Sequence, residues 1–269
     1  MKSISKMDNL RTDLVLEKDI TLENSSKIEE YNSIKVIDSR QNKYRFTTIF
    51  FDDITDKKNY EEVLNVFIKQ LKKYLMIEKE DIILVVGLGN EDSTPDSLGP
   101  RTIENVLVTR YLYFFGEVEG NYSNVCSFVP NVMGNTGIET TDIIKSIIKE
   151  THATKVIIVD ALKTNHIDRL TKTIQITDQG IAPGSGVQGK RKEISKETMD
   201  IDIIAIGVPT VVDIETILEN YTKKNYSLKE NLIVTPTNID FIIEKLAFLI
   251  SDSINISLHK DFKRQNNSL

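Results

Sequence analysis

The rhythm of apolar positions changes several times along the chain. Two early stretches within residues 31–56, "SIKVID" and "YRFTTIFF", contain alternating apolar and polar positions and predict strands. Residues 58–76, "KNYEEVLNVFIKQLKKYLM", set Val63, Val66, Phe67, Leu71 and Leu75 at helical spacing and predict a helix. The rhythm then becomes continuous. "DIILVVGLG" (81–89), "NVCSFVP" (124–130), "KVIIVDAL" (155–162) and "IDIIAIGVP" (201–209) read as strands, and their Val/Ile runs imply cover on both faces. Helical stretches at 100–115, 137–150 and 210–221 fall between or after them, and 238–258 closes the chain as a helix packed on the outside. Thr136 and Glu139 have the T-x-x-E spacing of a capping box at the start of the 137–150 helix. Strand–helix alternation predicts an α/β fold, a single domain with a mostly parallel central sheet flanked by helices. Residues 1–30 are polar and lysine-rich and read as an N-terminal arm, leaving 31–269 as the domain. "LRTDLVLE" (10–17) is a short extended stretch inside that arm.

Composition narrows the function class. Of 269 residues, 40% are hydrophobic, enough for a sizeable core. A formal charge of −6 argues against non-specific nucleic-acid binding. The single cysteine, Cys126, rules out an internal disulfide and a cysteine metal cluster, and fits an intracellular compartment. No apolar run approaches the length of a membrane span, and the N-terminus lacks the apolar region of a signal peptide.

The candidate chemistry begins at "VVGLGNEDSTPDSLGP" (85–100). Gly87 and Gly89 follow a strand, as in a dinucleotide fingerprint, but Asp92 stands where the third glycine belongs and would repel a pyrophosphate. Pro95 and Pro100 also break the expected helix start. Ligands of open α/β sheets bind outside the carboxyl ends of the strands. Asp96 lies in the loop after one predicted strand, and Asp160 ends another, "KVIIVD". If those strands are neighbours, both carboxylates face one crevice. Two like charges a few ångströms apart raise one pKa, giving an acid and a base that together activate water. A purely structural role, with Asp160 satisfied by helix N-termini, is the alternative reading. The glycine-rich loop around Gly184, Ser185 and Gly186 has no G-x-S-x-G elbow, and no histidine is an evident base for Ser185. Its glycines can offer backbone N–H groups to an oxyanion or a peptide strand. Lys190, Arg191 and Lys192 follow as a cationic run, which also reads as a solvated cluster. Of the three histidines, His152 sits beyond a helix end, His259 in the polar tail, and His166 near enough to Asp160 to reach the crevice.

Several segments in order carry a resemblance. They are "RTDLVLE" (11–17), "VVGLGNEDSTPDSLGP" (85–100), "ENVLVTR" (104–110), "TGIETTDIIKSII" (136–148), "VDAL" (159–162), "TIQITDQGIAPGSGVQGKRKEISKET" (173–198), "IAIGVPTVVD" (204–213) and "VTPTNIDFIIEKLA" (234–247). Together they resemble the germination protease family of endospore-forming bacteria. The resemblance implies an endopeptidase that degrades small acid-soluble spore proteins at germination, in the forespore and spore core. It implies a zymogen that removes residues 1–13 by a cut between Asp13 and Leu14, and a homo-oligomer, tetrameric in the family. It maps the essential carboxylates onto Asp96 and Asp160 and implies a fold like that of the hydrogenase-maturation endopeptidases. The acidic residues of family substrates suggest steering by Lys190, Arg191 and Lys192, next to the peptide site expected at Gly184, Ser185 and Gly186. No cofactor is expected; those related enzymes use a metal, which keeps a divalent ion near the two carboxylates as an alternative. No membrane or direct nucleic-acid partner is implied. One departure stands out: about twenty residues join "GVPTVVD" to "VTP", where typical members have a long segment.

Overall fold

A computed structural model describes residues 26–183, 192–222, 226, 228 and 232–264. Nine strands form one mixed sheet. In chain order they are β1 (Lys27–Tyr31), β2 (Ile34–Gln41), β3 (Tyr44–Phe50), β4 (Ile82–Gly87), β5 (Asn124–Phe128), β6 (Lys155–Thr164), β7 (Thr173–Thr177), β8 (Asp202–Asp213) and β9 (Ile233–Val234). Across the sheet the order is β1-β2-β3-β7-β8-β6-β4-β5, with β9 paired to the end of β8. The parallel part comprises β8, β6, β4 and β5. The remaining pairings are antiparallel. β1 begins within the segment read as the arm.

The continuous Val/Ile runs are covered on both faces. Ile83, Val85, Ile157 and Val159 point into one core, and Leu84, Val86, Val156 and Ile158 into the other. Burying each such side chain stabilises the fold by roughly 1.5–3 kcal/mol. The first core is closed by α1 (Lys57–Leu71), α2 (Leu98–Ile103) and α8 (Ile239–Leu258). α1 is capped by Asp56, whose carboxylate accepts the Asn59 N–H at 2.9 Å, and it buries Val63, Leu64, Val66, Phe67 and Leu71. α8 lies outside the sheet as expected, yet it buries residues along most of its length because α1 and α2 flank it.

Several expectations need correction. The 100–115 stretch is two helices, α2 and α3 (Arg110–Phe115), because the backbone between them finds partners elsewhere. Asn255 of α8 accepts the Leu107 N–H at 2.8 Å and donates to the Asn105 carbonyl at 2.9 Å, while the Thr109 N–H donates to the Val125 carbonyl at 3.0 Å. The capping box does not form. Thr136 ends a short helix, α4 (Met133–Thr136), and its hydroxyl accepts the Ile138 N–H at 3.2 Å. Gly137 then turns the chain at φ 70°, so α5 (Thr140–Thr151) starts later, with Glu139 at its N-cap making no side-chain cap bond. The helix expected at 210–221 begins only at Ile214, as α7 (Ile214–Thr222), after α6 (Lys196–Met199) and β8. The β-branched run "TVVD" continues β8, where β6 and β9 pair with it. His259 is not in a solvated tail. It is 1% exposed, its Nδ1 accepts the Ser123 N–H at 3.2 Å, and its Nε2 lies 3.2 Å from the Leu107 carbonyl.

Candidate active site

β4 and β6 are parallel neighbours, as the reading of Asp96 and Asp160 required. β4 stops at Gly87, opposite Val159, and the Leu88 N–H adds one more bond, to the Val159 carbonyl at 2.8 Å. Asp160 is the next residue of β6, is paired with Gly207 of β8, and is 4% exposed. It was expected at the end of its own strand. Instead β6 runs on to Thr164 because β8 keeps pairing with it, so Asp160 marks the end of the neighbour, β4.

Asp96 is half-buried in a 3-10 turn, Thr94–Asp96, that packs against β6 and β8. The loop holding it is closed by its own backbone. The Asn90 N–H donates to the Asp96 carbonyl at 3.1 Å, the Ser93 N–H to the Asn90 carbonyl at 3.1 Å, and the Asp96 N–H to the Ser93 carbonyl at 2.8 Å. Asp92 takes part only through its N–H, which donates to Asn90 Oδ1 at 3.1 Å, an Asx-type turn. Pro95 sits at the first positions of the 3-10 turn, where its missing N–H costs nothing.

Three glycines allow this closure. A Cβ on Gly89, whose φ is +120°, would lie 1.9 Å from the Asp96 carbonyl oxygen. One on Gly87 would meet the Gly99 carbonyl oxygen at 2.4 Å, and one on Gly99 would meet those of Leu88 and Val159 at 2.1 and 2.6 Å. The start of α2 is thus pressed onto the ends of β4 and β6, bringing Asp96 to the end of the sheet where Asp160 lies. The glycines serve backbone contact within the chain. Gly99 was missed as a site residue; its signal is the small residue in "SLGP" at the mouth of a buried strand.

The buried Asp160 carboxylate accepts the Ala161 N–H at 2.9 Å through Oδ1. Among the described residues no group of three or more His, Cys, Asp or Glu side chains is placed to hold a metal ion. The His166 backbone N–H donates to Thr164 Oγ1 at 3.0 Å. His152 ends α5 in the left-handed conformation at φ 54°. Lys192 is exposed and pairs with Asp142 at 2.8 Å. Gly184, Ser185, Gly186, Lys190 and Arg191, and the Asp13–Leu14 bond, lie outside the described residues. Among the described residues no helix is long and apolar enough to cross a membrane.

Comparison with known proteins places the chain. A family model described as "Germination protease" matches residues 5–228. The germination protease of Priestia megaterium (strain ATCC 12872 / QMB1551) is 32% identical over 96% of this chain and 96% of its own length. That alignment runs over 354 positions, many more than the 269 residues here, so the relative carries sequence with no counterpart in this chain. The germination protease of Geobacillus sp. (strain WCH70) is 37% identical over 77% of this chain and 74% of its own. Among solved structures, the [NiFe] hydrogenase maturation protease HycI from Thermococcus kodakarensis KOD1 is 18% identical, with a TM-score of 0.38 over 69% of this chain and 98% of its own. With a family model spanning most of its length and relatives above 30% identity, the chain belongs to the germination protease family and is an endopeptidase.

Proposed function

We propose that this endopeptidase starts the breakdown of small acid-soluble spore proteins during germination, in the spore core, with Asp96 and Asp160 as its catalytic carboxylates. The observation that supports the reading is that the turn carrying Asp96 packs against β6 and β8, and that Asp160 lies on β6 just past the end of its neighbour β4. In this reading one carboxylate, ionised, takes a proton from the attacking water. The other, protonated, delivers a proton to the leaving amide nitrogen. General acid–base help of this kind contributes roughly 10²–10⁴-fold. No cofactor is needed. The chain is made as a zymogen and cuts itself between Asp13 and Leu14. The loop with Gly184, Ser185 and Gly186 lines the peptide, Lys190 and Arg191 attract its acidic residues, and the enzyme works as a homo-oligomer, a tetramer as in the family.

The test is a digest. Purified protein is mixed with a small acid-soluble spore protein and followed by mass spectrometry, beside Asp96→Asn and Asp160→Asn. Discrete fragments from wild type, and a loss of about 10³-fold or more in each folded variant, are expected. Near-normal cleavage by either variant would overturn the carboxylate pair. In the same run the enzyme's own mass reports whether residues 1–13 have been removed. An intact spore protein, even with enzyme lacking those residues, would move the reading to a peptide-binding protein without turnover.

A further inference from the structure

β6 outruns the strand beside it. Its ladder with β4 ends at Gly87↔Val159, whereas its ladder with β8 continues to Thr164↔Val212. Beyond Asp160, β6 therefore has a strand neighbour on one side only among the described residues. The N–H and C=O of one strand residue point to the same side, and that side alternates from residue to residue. The Val159 carbonyl faces the β4 side, since it accepts the Leu88 N–H. By the same alternation Ala161 and Lys163 turn their backbone groups that way, past the end of β4; the register shift between Leu162 and Lys163 puts its extra residue, Thr210, on β8 and leaves β6 in step. The Ala161 N–H fits this: it donates to the Asp160 carboxylate at 2.9 Å, where a neighbouring strand would supply a carbonyl. Among the described residues no turn, loop or side-chain hydrogen bond reaches the Ala161 carbonyl or the Lys163 N–H, which leaves both for an incoming chain. In a parallel ladder an acceptor at one residue and a donor two residues on bracket a single residue of the next strand. The edge starts at Asp160. At its far end the Lys163 ammonium is paired with Asp213.

We propose that this edge takes one residue of the scissile polypeptide as a short parallel strand in register with Leu162, continuing the line that β4 leaves at Gly87. The occupant is an extended peptide, since only a backbone supplies that donor and acceptor on one residue. The polypeptide then runs from Asp160 outward. The bracketed residue lies on the C-terminal side of the bond being cut, in the half that leaves as the amine. The proposal rests on the assignment of Asp96 and Asp160 as the reacting carboxylates, and it is tested by binding so that the two can fail separately.

The probe is the decapeptide LRTDLVLEKD, the sequence of residues 10–19, made with each backbone nitrogen methylated in turn. Affinity is read by fluorescence anisotropy against the full-length Asp96→Asn protein, and cleavage against wild type. Methylation at one residue past the cut should weaken binding by roughly tenfold, the worth of one hydrogen bond, while the residues on either side of it tolerate methylation. In parallel, unmethylated peptide should slow hydrogen exchange at the Lys163 amide. A peptide that binds or is cleaved with no single sensitive position, or without protection of Lys163, overturns the edge and leaves the carboxylate assignment standing. A peptide that neither binds nor is cut also overturns it, and the spore-protein digest then judges the carboxylates alone.

Discussion

The two halves of the sheet are built by different rules. In the wing, β1, β2 and β3 are joined by tight turns with Asn32 and Asn42 at positive φ, and every residue of the three strands is paired in a ladder. Its polar groups are paired: Arg45 of β3 with Asp38 of β2, and Thr47 Oγ1 with the hydroxyl of Tyr74, just past α1, at 2.8 Å. In the parallel half the strands do not match. β4 has 6 residues, β6 has 10 and β8 has 12, and the mismatch opens at the C-terminal ends. Matched hairpins satisfy their own backbone and leave little for a ligand. Strands of unequal length leave a step, and in the proposed function that step holds the two carboxylates and the edge of β6 that takes the peptide. On that reading the wing contributes stability, and the parallel half gives up some regularity to make a site.

The sharpest way to break that contrast is a single methyl group. Gly89→Ala puts a Cβ 1.9 Å from the Asp96 carbonyl, at a φ of +120° that an L-residue rarely adopts. The loop must move, and Asp96 with it. Cleavage of a spore protein should fall by about 100-fold or more, on the scale of losing a general acid or base. Gly116→Ala is the control. Gly116 also has positive φ, +68°, but its Cβ would meet nothing within 4 Å. That change should cost stability of about 1 kcal/mol and leave cleavage alone. Equal effects on cleavage would show that Asp96 is not held by the glycine contact.

A smaller effect is expected in the wing. The Tyr74 hydroxyl bonds Thr47 Oγ1 and donates to the Ile176 carbonyl at 3.2 Å, and burial drives its pKa well above the usual phenol range. Tyr74→Phe removes these bonds and should cost about 1–2 kcal/mol, a Tm loss of roughly 2–8 °C. Thermal unfolding followed by circular dichroism measures it. The cleavage rate at 25 °C should stay within about twofold of wild type, because the Tyr74 partners Thr47 and Ile176 belong to β3 and β7, not to the strands that carry the proposed carboxylates. A large loss of rate without loss of fold would couple the wing to the site.

Much of the parallel half was legible because "DIILVVGLG", "KVIIVDAL" and "IDIIAIGVP" are too apolar for anything but doubly covered strands. Asp160 could be picked out as the charge interrupting such a run. The wing was less legible. β7, "TIQIT", buries Thr173, Gln175 and Thr177, and composition alone gives no warning that these polar residues face the interior. β1, "KIEEY", is mostly exposed at the sheet edge and looks like arm. The false capping box shows the limit of spacing. T-x-x-E fits on paper, but whether the turn before it is left-handed depends on Gly137 and the helix preceding it. The break between α2 and α3 was unreadable for a similar reason, since Asn255 and His259, which satisfy that backbone, are about 150 residues away in sequence.

His259 gives the smallest effect and the one exception to the division of labour, a stability device inside the half that holds the site. Its Nδ1 accepts the Ser123 N–H, so that nitrogen carries no proton, and Nε2 is left to donate to the Leu107 carbonyl. The Ser123 bond needs the neutral ring, whereas the Leu107 bond survives protonation. Burial holds its pKa below the ordinary histidine value, against a smaller upward pull from the Leu107 hydrogen bond. In the unfolded chain the ring takes up a proton near pH 6.5, while in the fold it resists until the pH is lower. The unfolded state thus binds more protons in that window, and stability rises with pH across it. The contribution is complete above about pH 6.5 and is lost as the pH falls from there toward the folded-state value. Tm measured from pH 7.5 down to 5.5 should therefore decline in wild type. His259→Gln keeps an acceptor and a donor but cannot titrate; it should start lower at pH 7.5 and decline less steeply. Cleavage per folded molecule should match wild type, because the ring ties the end of α8 to the loop before α3 and the entry to β5, away from Asp96 and Asp160. Parallel Tm curves for the two proteins would assign the pH response to other groups and leave His259 with a packing role alone.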